Sequence, residues 1–288
     1  MSWNSNLADL PEIARLKQEA PVGSLVVMPV SPLDYRYGRD VSKEIWSREG
    51  RHARSLEVER ALIWAHSKMG RVSPEDYDAI AEIADPGIVT ADRVDELEAE
   101  TKHDIMALTK AMAEAAGEAG WCVHLGATSN DIVDSAVALQ IKDSITLQEK
   151  STIKLIETLC EIAEREKDTV MLGRTHGQAA VPITFGLKVA VWIDEMRRHL
   201  ERLRELRPRC ITGKFLGAVG TGAAQGERAL ELQDLVLEEL GLEVPVATTQ
   251  VVGRDRYIEW VGWMANVATT IEKILQEINN KVKNYSWH

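Results

Sequence analysis

The stretch Phe185–Leu206, FGLKVAVWIDEMRRHLERLREL, decides the fold class. Its apolar residues Phe185, Val189, Trp192, Met196, Leu203 and Leu206 recur at helical spacing, with charged residues filling the other positions. Val261, Met264, Ala268, Ile271, Leu275 and Ile278 repeat the pattern, as do Ile132, Val133, Ala136, Val137, Ile141 and Ile145 after Asn130. Ile156, Leu159 and Ile162 predict a separate helix between them. Upstream, Thr90 is placed to cap a helix running through Val94, Leu97, Ile105, Leu108 and Met112, which Gly117 and Gly120 should end. No strand-like alternation of similar length competes, and extended structure is expected only in short pieces such as Val244–Val252. Long amphipathic segments of this kind favour antiparallel packing, so the chain reads as all-α, with a long-helix bundle.

The interruption at Gly126 and Thr128-Ser129 divides the expectation into two domains. Residues 1–127 form an N-terminal arm and a small helical domain, and residues 128–288 form the bundle. Within the arm, Leu7–Glu19 could make a short helix ending at Pro21, while Pro29 and Pro32 limit the apolar run Leu25–Val30.

Composition narrows the function. Among 288 residues, 34 Lys and Arg face 45 Asp and Glu, a formal charge of −11, which argues against nucleic acid as the main partner. A small anionic ligand in a locally basic cleft is still compatible. Three scattered cysteines, Cys122, Cys160 and Cys210, make no disulfide framework and suggest a reducing, cytoplasmic setting. No apolar run is long enough to span a membrane, so no membrane partner is expected.

Familiar site motifs fail their context tests. Gly217–Gly226 has Gln225 where a dinucleotide loop needs a third small residue, and no buried strand precedes it. There is no H-E-x-x-H frame, no zinc spacing of cysteines and no G-x-S-x-G turn. The basic stretch Arg197–Arg209 is interleaved with Glu201 and Glu205 and reads as a solvated, ion-paired face. His199 lies beside an apolar stripe and reads as structural.

Three polar segments interrupt the helices. In Thr101-Lys102-His103-Asp104, His103 points away from the stripe through Leu97 and Ile105; alone it is simply an exposed histidine. In His124–Asp131, Thr128 and Asp131 have the spacing of a helix cap, and hydroxyls beside unpaired N–H groups there also make a carboxylate site. In Gly173-Arg174-Thr175-His176-Gly177-Gln178, two glycines flank a histidine on expected irregular backbone. Such a histidine serves either loop hydrogen bonding or proton transfer.

These segments occur in a telling order. Ser31–Gly38, Lys102-His103-Asp104, His124–Asp131, Gly173–Gly177, Gly217–Thr221 and Thr248-Thr249-Gln250-Val251 follow one another as they do in the adenylosuccinate lyases. The chain resembles that family of the fumarase/aspartase superfamily from about Pro29 to Asn279. The resemblance implies that Arg36 and Tyr37 hold a substrate phosphate, and that Lys102, His103 and Asp104 line the pocket. It implies that Thr128 and Ser129 bind the succinyl carboxylates, that Gln250 binds substrate, and that His176 is the catalytic acid protonating the leaving nitrogen. It further implies cleavage of adenylosuccinate to AMP and fumarate, and of succinylaminoimidazole carboxamide ribotide to its amide and fumarate. No metal or organic cofactor is implied, and the expected assembly is a homotetramer whose sites are built from several subunits.

The match departs from the family pattern in places. Ala179 stands where a histidine is usual, and Phe215-Leu216 replaces a small polar pair before Gly217. The family's serine-containing loop, which supplies the catalytic base, is absent, so the chain is expected to be a truncated lyase with little turnover by itself. Two other readings are a sibling lyase acting on argininosuccinate, fumarate/malate or a carboxymuconate, and a non-catalytic helical oligomerisation module.

Overall fold

The computed structural model describes residues 36–285, with side chains to residue 279. The expected arm helix at Leu7–Glu19, the Leu25–Val30 run and the Ser31–Tyr35 part of the first motif lie outside the described residues. Helices α1 (Asp40–Trp46), α2 (Arg48–Lys68), α3 (Pro74–Ile83), α4 (Ala91–Thr101) and α5 (Asp104–Ala116) lead to α6 (Ser129–Arg165). A hairpin of β1 (Val170–Thr175) and β2 (Gln178–Thr184) follows, then α7 (Phe185–Cys210), α8 (Ala229–Leu240) and α9 (Asp255–Tyr285).

The all-α expectation holds, with corrections. The two helices expected after Asn130 are one helix of 37 residues. The polar stretch between Ile145 and Ile156 stays helical, with the Thr146 and Ser151 hydroxyls donating back to the carbonyls of Lys142 and Leu147 at 2.8 and 2.9 Å. Conversely, the helix starting at Thr90 is two. Thr90 does cap it, accepting from the Arg93 N–H at 3.2 Å, but Lys102 turns left-handed and His103 caps a new helix. The Val244–Val252 segment contains no strand; an isolated bridge joins the preceding Glu243 to Thr212. The backbone around His176, expected to be irregular, is a β-hairpin. His176 (φ 51°) and Gly177 (φ 73°) are its two central residues, matching the twist that two-residue turns need.

α2 and α7 pack along α6, the spine of the molecule, while α8 packs against α2 and α9 against α7. One core cluster runs from Leu56 and Leu62 through Met112, Ile132 and Ile141 to Leu203, Val236 and Trp263. A second surrounds Ile156, Val189, Trp192, Met196 and Ile274 nearer the hairpin. Tryptophans tie outer helices to the spine: Trp46 donates to Ser144 Oγ at 2.9 Å and Trp260 to Gln148 Oε1 at 2.8 Å, with their rings stacked 5.9 Å apart. His199 is buried and pairs through Nε2 with Thr270 Oγ1 at 2.8 Å, so its structural reading stands.

The stripe read in α9 faces outward. Val261, Ile271, Leu275 and Ile278 are exposed, whereas Trp260, Trp263 and Ile274 pack inward. A helix apolar on two sides has more than one packing face.

Candidate active site

The site begins where α6 begins. Thr128 precedes its first turn in extended conformation, and its N–H donates to Asp131 Oδ2 at 2.8 Å, as the capping spacing required. Asp131 is itself buried and paired with the fully buried Lys214, whose Nζ also donates to the Gly217 carbonyl at 3.1 Å. Burial pushes the Asp131 carboxyl up from its usual value, and the Lys214 ammonium opposes that. This pair fastens the Gly217–Gly222 turn to the helix start. Gly220 (φ 79°) lies so close to the Thr248 carbonyl that any side chain there would collide with it. Asp134, one turn on, accepts from Val252 N at 2.8 Å and from Arg254 Nη1 at 2.9 Å. The segment carrying Gln250 is therefore tethered to the same end of α6, with Gln250 exposed.

His103 joins the group from the other side. Its Nδ1 accepts from the Met106 N–H at 3.3 Å, which leaves Nε2 carrying the proton toward Ser129 Oγ, also at 3.3 Å. Ser129 thus receives a hydrogen bond and keeps its own hydroxyl proton available for an anion. Asp104, half exposed, faces Arg51 at 3.5 Å, and Lys102 lines an open surface depression with Asp95 and Glu98.

Sequence reasoning assigned no role to His124. Its signal lies in the backbone: among the described residues, only Lys102, His124 and His176 have positive φ without being glycine, and each falls in one of the three polar segments. Held strain of that kind marks functional positions more often than ordinary ones. His124 Nδ1 lies 2.6 Å from Glu59 Oε1 on α2. Burial works against its charged form, but Glu59 and Asp131 together outweigh burial and hold the imidazole above the ordinary histidine value. The following loop is pinned by His66 Nε2 and Gln225 Nε2, both directed at the Leu125 carbonyl at 2.9 and 3.0 Å.

The remaining candidates lie elsewhere along the spine. Arg36 stacks over the exposed Tyr37 ring at 5.5 Å, and nearby Arg39 donates to Ser151 Oγ at 3.0 Å. Ser151 is about six turns, or ~33 Å, along α6 from Ser129. His176 is exposed at the tip of the hairpin that follows the far end of α6, with Ala179 paired across from Arg174. Gly186 N donates to Glu166 O and Phe185 N to Thr169 O, which fixes the hairpin base at that end. An α6 of this length measures about 55 Å, and strands this short reach ~23 Å at most. Even folded straight back, the hairpin leaves roughly 30 Å between His176 and Ser129. One chain thus gathers Lys102, His103, Asp104, Thr128, Ser129 and the Gln250 segment, and holds Arg36 with Tyr37, and His176, apart from them.

Residues 34–281 match a family model described as a lyase. The chain belongs to this lyase family. It is 48% identical over 253 residues to an adenylosuccinate lyase of Pyrococcus abyssi, covering 88% of this chain and 56% of that protein. It is 44% identical over 254 residues to one of Methanothermobacter thermautotrophicus, covering 88% of this chain and 57% of that one. Among solved structures, a fumarate lyase from Mesorhizobium superposes with TM-score 0.77 at 34% identity, covering 85% of this chain and 59% of that one. A 3-carboxy-cis,cis-muconate lactonizing enzyme from Pseudomonas putida gives 0.78 at 32%, covering 85% and 57%. The lyase chain therefore has the helical fumarase/aspartase fold, and it spans a little over half the length of the curated relatives it matches.

Proposed function

We propose that this lyase chain acts in adenylosuccinate cleavage, releasing fumarate to leave AMP, and in the equivalent cleavage of succinylaminoimidazole carboxamide ribotide. The observation that carries this reading is the spacing of the candidate groups along α6, together with the phosphate-type anchor at Arg36 and Tyr37. Groups too far apart in one chain meet when antiparallel copies place the hairpin end of one beside the Thr128–Ser129 end of another. The assembly in this reading is a homotetramer, and the outward apolar face of α9 supports such packing. Three free cysteines support a cytoplasmic location.

The chemistry follows from the residues. Thr128, Ser129 and the free N–H groups opening α6 hold a succinyl carboxylate where negative charge develops. His176 donates a proton to the departing nitrogen as the carbon–nitrogen bond breaks. The proton beside the carboxylate goes to a general base. Arg36 and Tyr37 grip the phosphate, while Lys102, His103, Asp104 and Gln250 line the pocket.

The test combines light scattering with nucleotide binding. Four copies per particle and an AMP-dependent rise in melting temperature, lost in Arg36→Ala, are expected. Assembly with no response to AMP would leave only the oligomerisation role. A response to fumarate but not AMP would favour a sibling lyase, the reading that the two solved structures support.

A further inference from the structure

Glu59 is a carboxylate in an unusual place. It sits mid-helix in α2 with no solvent exposure, surrounded by Leu56, Leu62 and Ile63 of the core. Placing a carboxylate there is costly unless a partner compensates it. The partner is His124 Nδ1 at 2.6 Å, while Oε2 of the same carboxylate is buried without a hydrogen bond. The imidazole side chain keeps 21% of its surface open, so of the two groups only the ring meets solvent. His124 also holds a left-handed backbone (φ 61°) two residues before Gly126, whose close approach to the Gln225 amide leaves no room for a side chain. A core helix thus spends a buried charge on the orientation of one ring at the pocket end of α6.

We propose that Glu59 is a positioning residue: it grips His124 through Nδ1 so that Nε2 is presented as a fixed donor to an anionic group, carboxylate or phosphate, of the bound ligand. This deepens the lyase reading and rests on it for the identity of the ligand. The charged groups around the ring act together. Glu59 on α2 and Asp131 on α6 both favour the imidazolium, burial opposes it, and Lys214 is turned to Asp131. The imidazole therefore carries charge at pH values where an ordinary histidine has lost it.

The experiment is ¹⁵N-resolved NMR of His124 in the whole 288-residue chain, in wild type, Glu59→Gln and Glu59→Asp. Gln preserves shape and removes charge; Asp preserves charge and shortens reach. In wild type, His124 should titrate above the ordinary histidine range with Nδ1 protonated. In Glu59→Gln it should shift downward, since burial is then less opposed, and Glu59→Asp should restore part of the shift. Inorganic phosphate and fumarate, added separately near pH 7.5, identify the anion. At least one should perturb His124 Nε2 in wild type, and the perturbation should be lost in Glu59→Gln. Identical titration in all three chains, or no Nε2 response to either anion, overturns the proposal. A shifted His124 that responds to phosphate or fumarate while AMP gives no melting response would instead count against the lyase reading alone.

Discussion

The two ends of α6 are built on opposite plans. At Ser129 the helix start is enclosed by α5, the Gly217 turn and the Gln250 segment, and it is locked by a buried ion pair. At Arg165 the chain leaves into a hairpin whose Val170, Leu172 and Val181 are exposed and whose tip carries His176. The first end is organised by its own chain. The second presents a ring and an apolar ribbon that the described residues leave uncovered, which is what a group destined for a neighbour's pocket needs. In the proposed assembly the contrast separates a receiving end from a donating end.

The largest effect should come from breaking the receiving end's lock. Lys214→Met strands Asp131 as a buried uncompensated charge and should cost about 3–5 kcal/mol of stability in chemical denaturation. His176→Ala, at the donating end, should leave the same denaturation midpoint unchanged. If His176→Ala proves as damaging as Lys214→Met, the two ends are not distinct.

A smaller effect is expected from Gly220→Ala, which sets a left-handed position against the Thr248 carbonyl. Destabilisation of about 1–3 kcal/mol should appear, with faster amide exchange confined to the Gln250 segment. Gly177→Ala, also left-handed but with open space around it, should loosen only the hairpin. Exchange spreading from the Gly177 variant into α6 would erase the distinction.

The pH dependence sharpens the comparison further. Burial lowers His52, His66 and His199 below the ordinary histidine value, so these rings stay neutral to lower pH when folded than when unfolded. Each costs stability as pH falls from about 6.5 toward its folded value, because only the unfolded chain then takes up the proton. His124, raised instead, adds stability that is complete below about 6.5 and fades as pH rises through its folded value. His199→Gln should therefore flatten the acid limb, and His124→Gln should lose most stability on the acid side and little in alkali. Equal losses for His124→Gln at both extremes would remove Glu59 as the source of that stability.

Much of this was legible in the sequence. The α7 stripe needed only its own spacing, and Val189, Trp192, Met196, Leu203 and Leu206 are buried as read. The Thr128 cap was equally local. Continuity of α6 was not legible, because the apolar stripe that marks it lapses between Ile145 and Ile156, where Thr146 and Ser151 bond back to their own helix. The hairpin escaped because its strands are mostly exposed and lack clear alternation, leaving only His176-Gly177 as a turn signal. The outward face of α9 could not be told from its inward face, since both are apolar at helical period. His124 went unassigned for a different reason: its partner Glu59 is sixty-five residues away, and no spacing rule links them.

The unbroken length of α6 has a consequence for how such a chain can vary. An uninterrupted helix behaves as a calibrated rod: losing one residue anywhere along it draws the far terminus in by about 1.5 Å and swings it through about 100°. In the proposed assembly, a tip carrying a ring to another subunit would then miss its mark. Exposed side chains on that rod can drift, whereas its count of residues is held fixed by geometry.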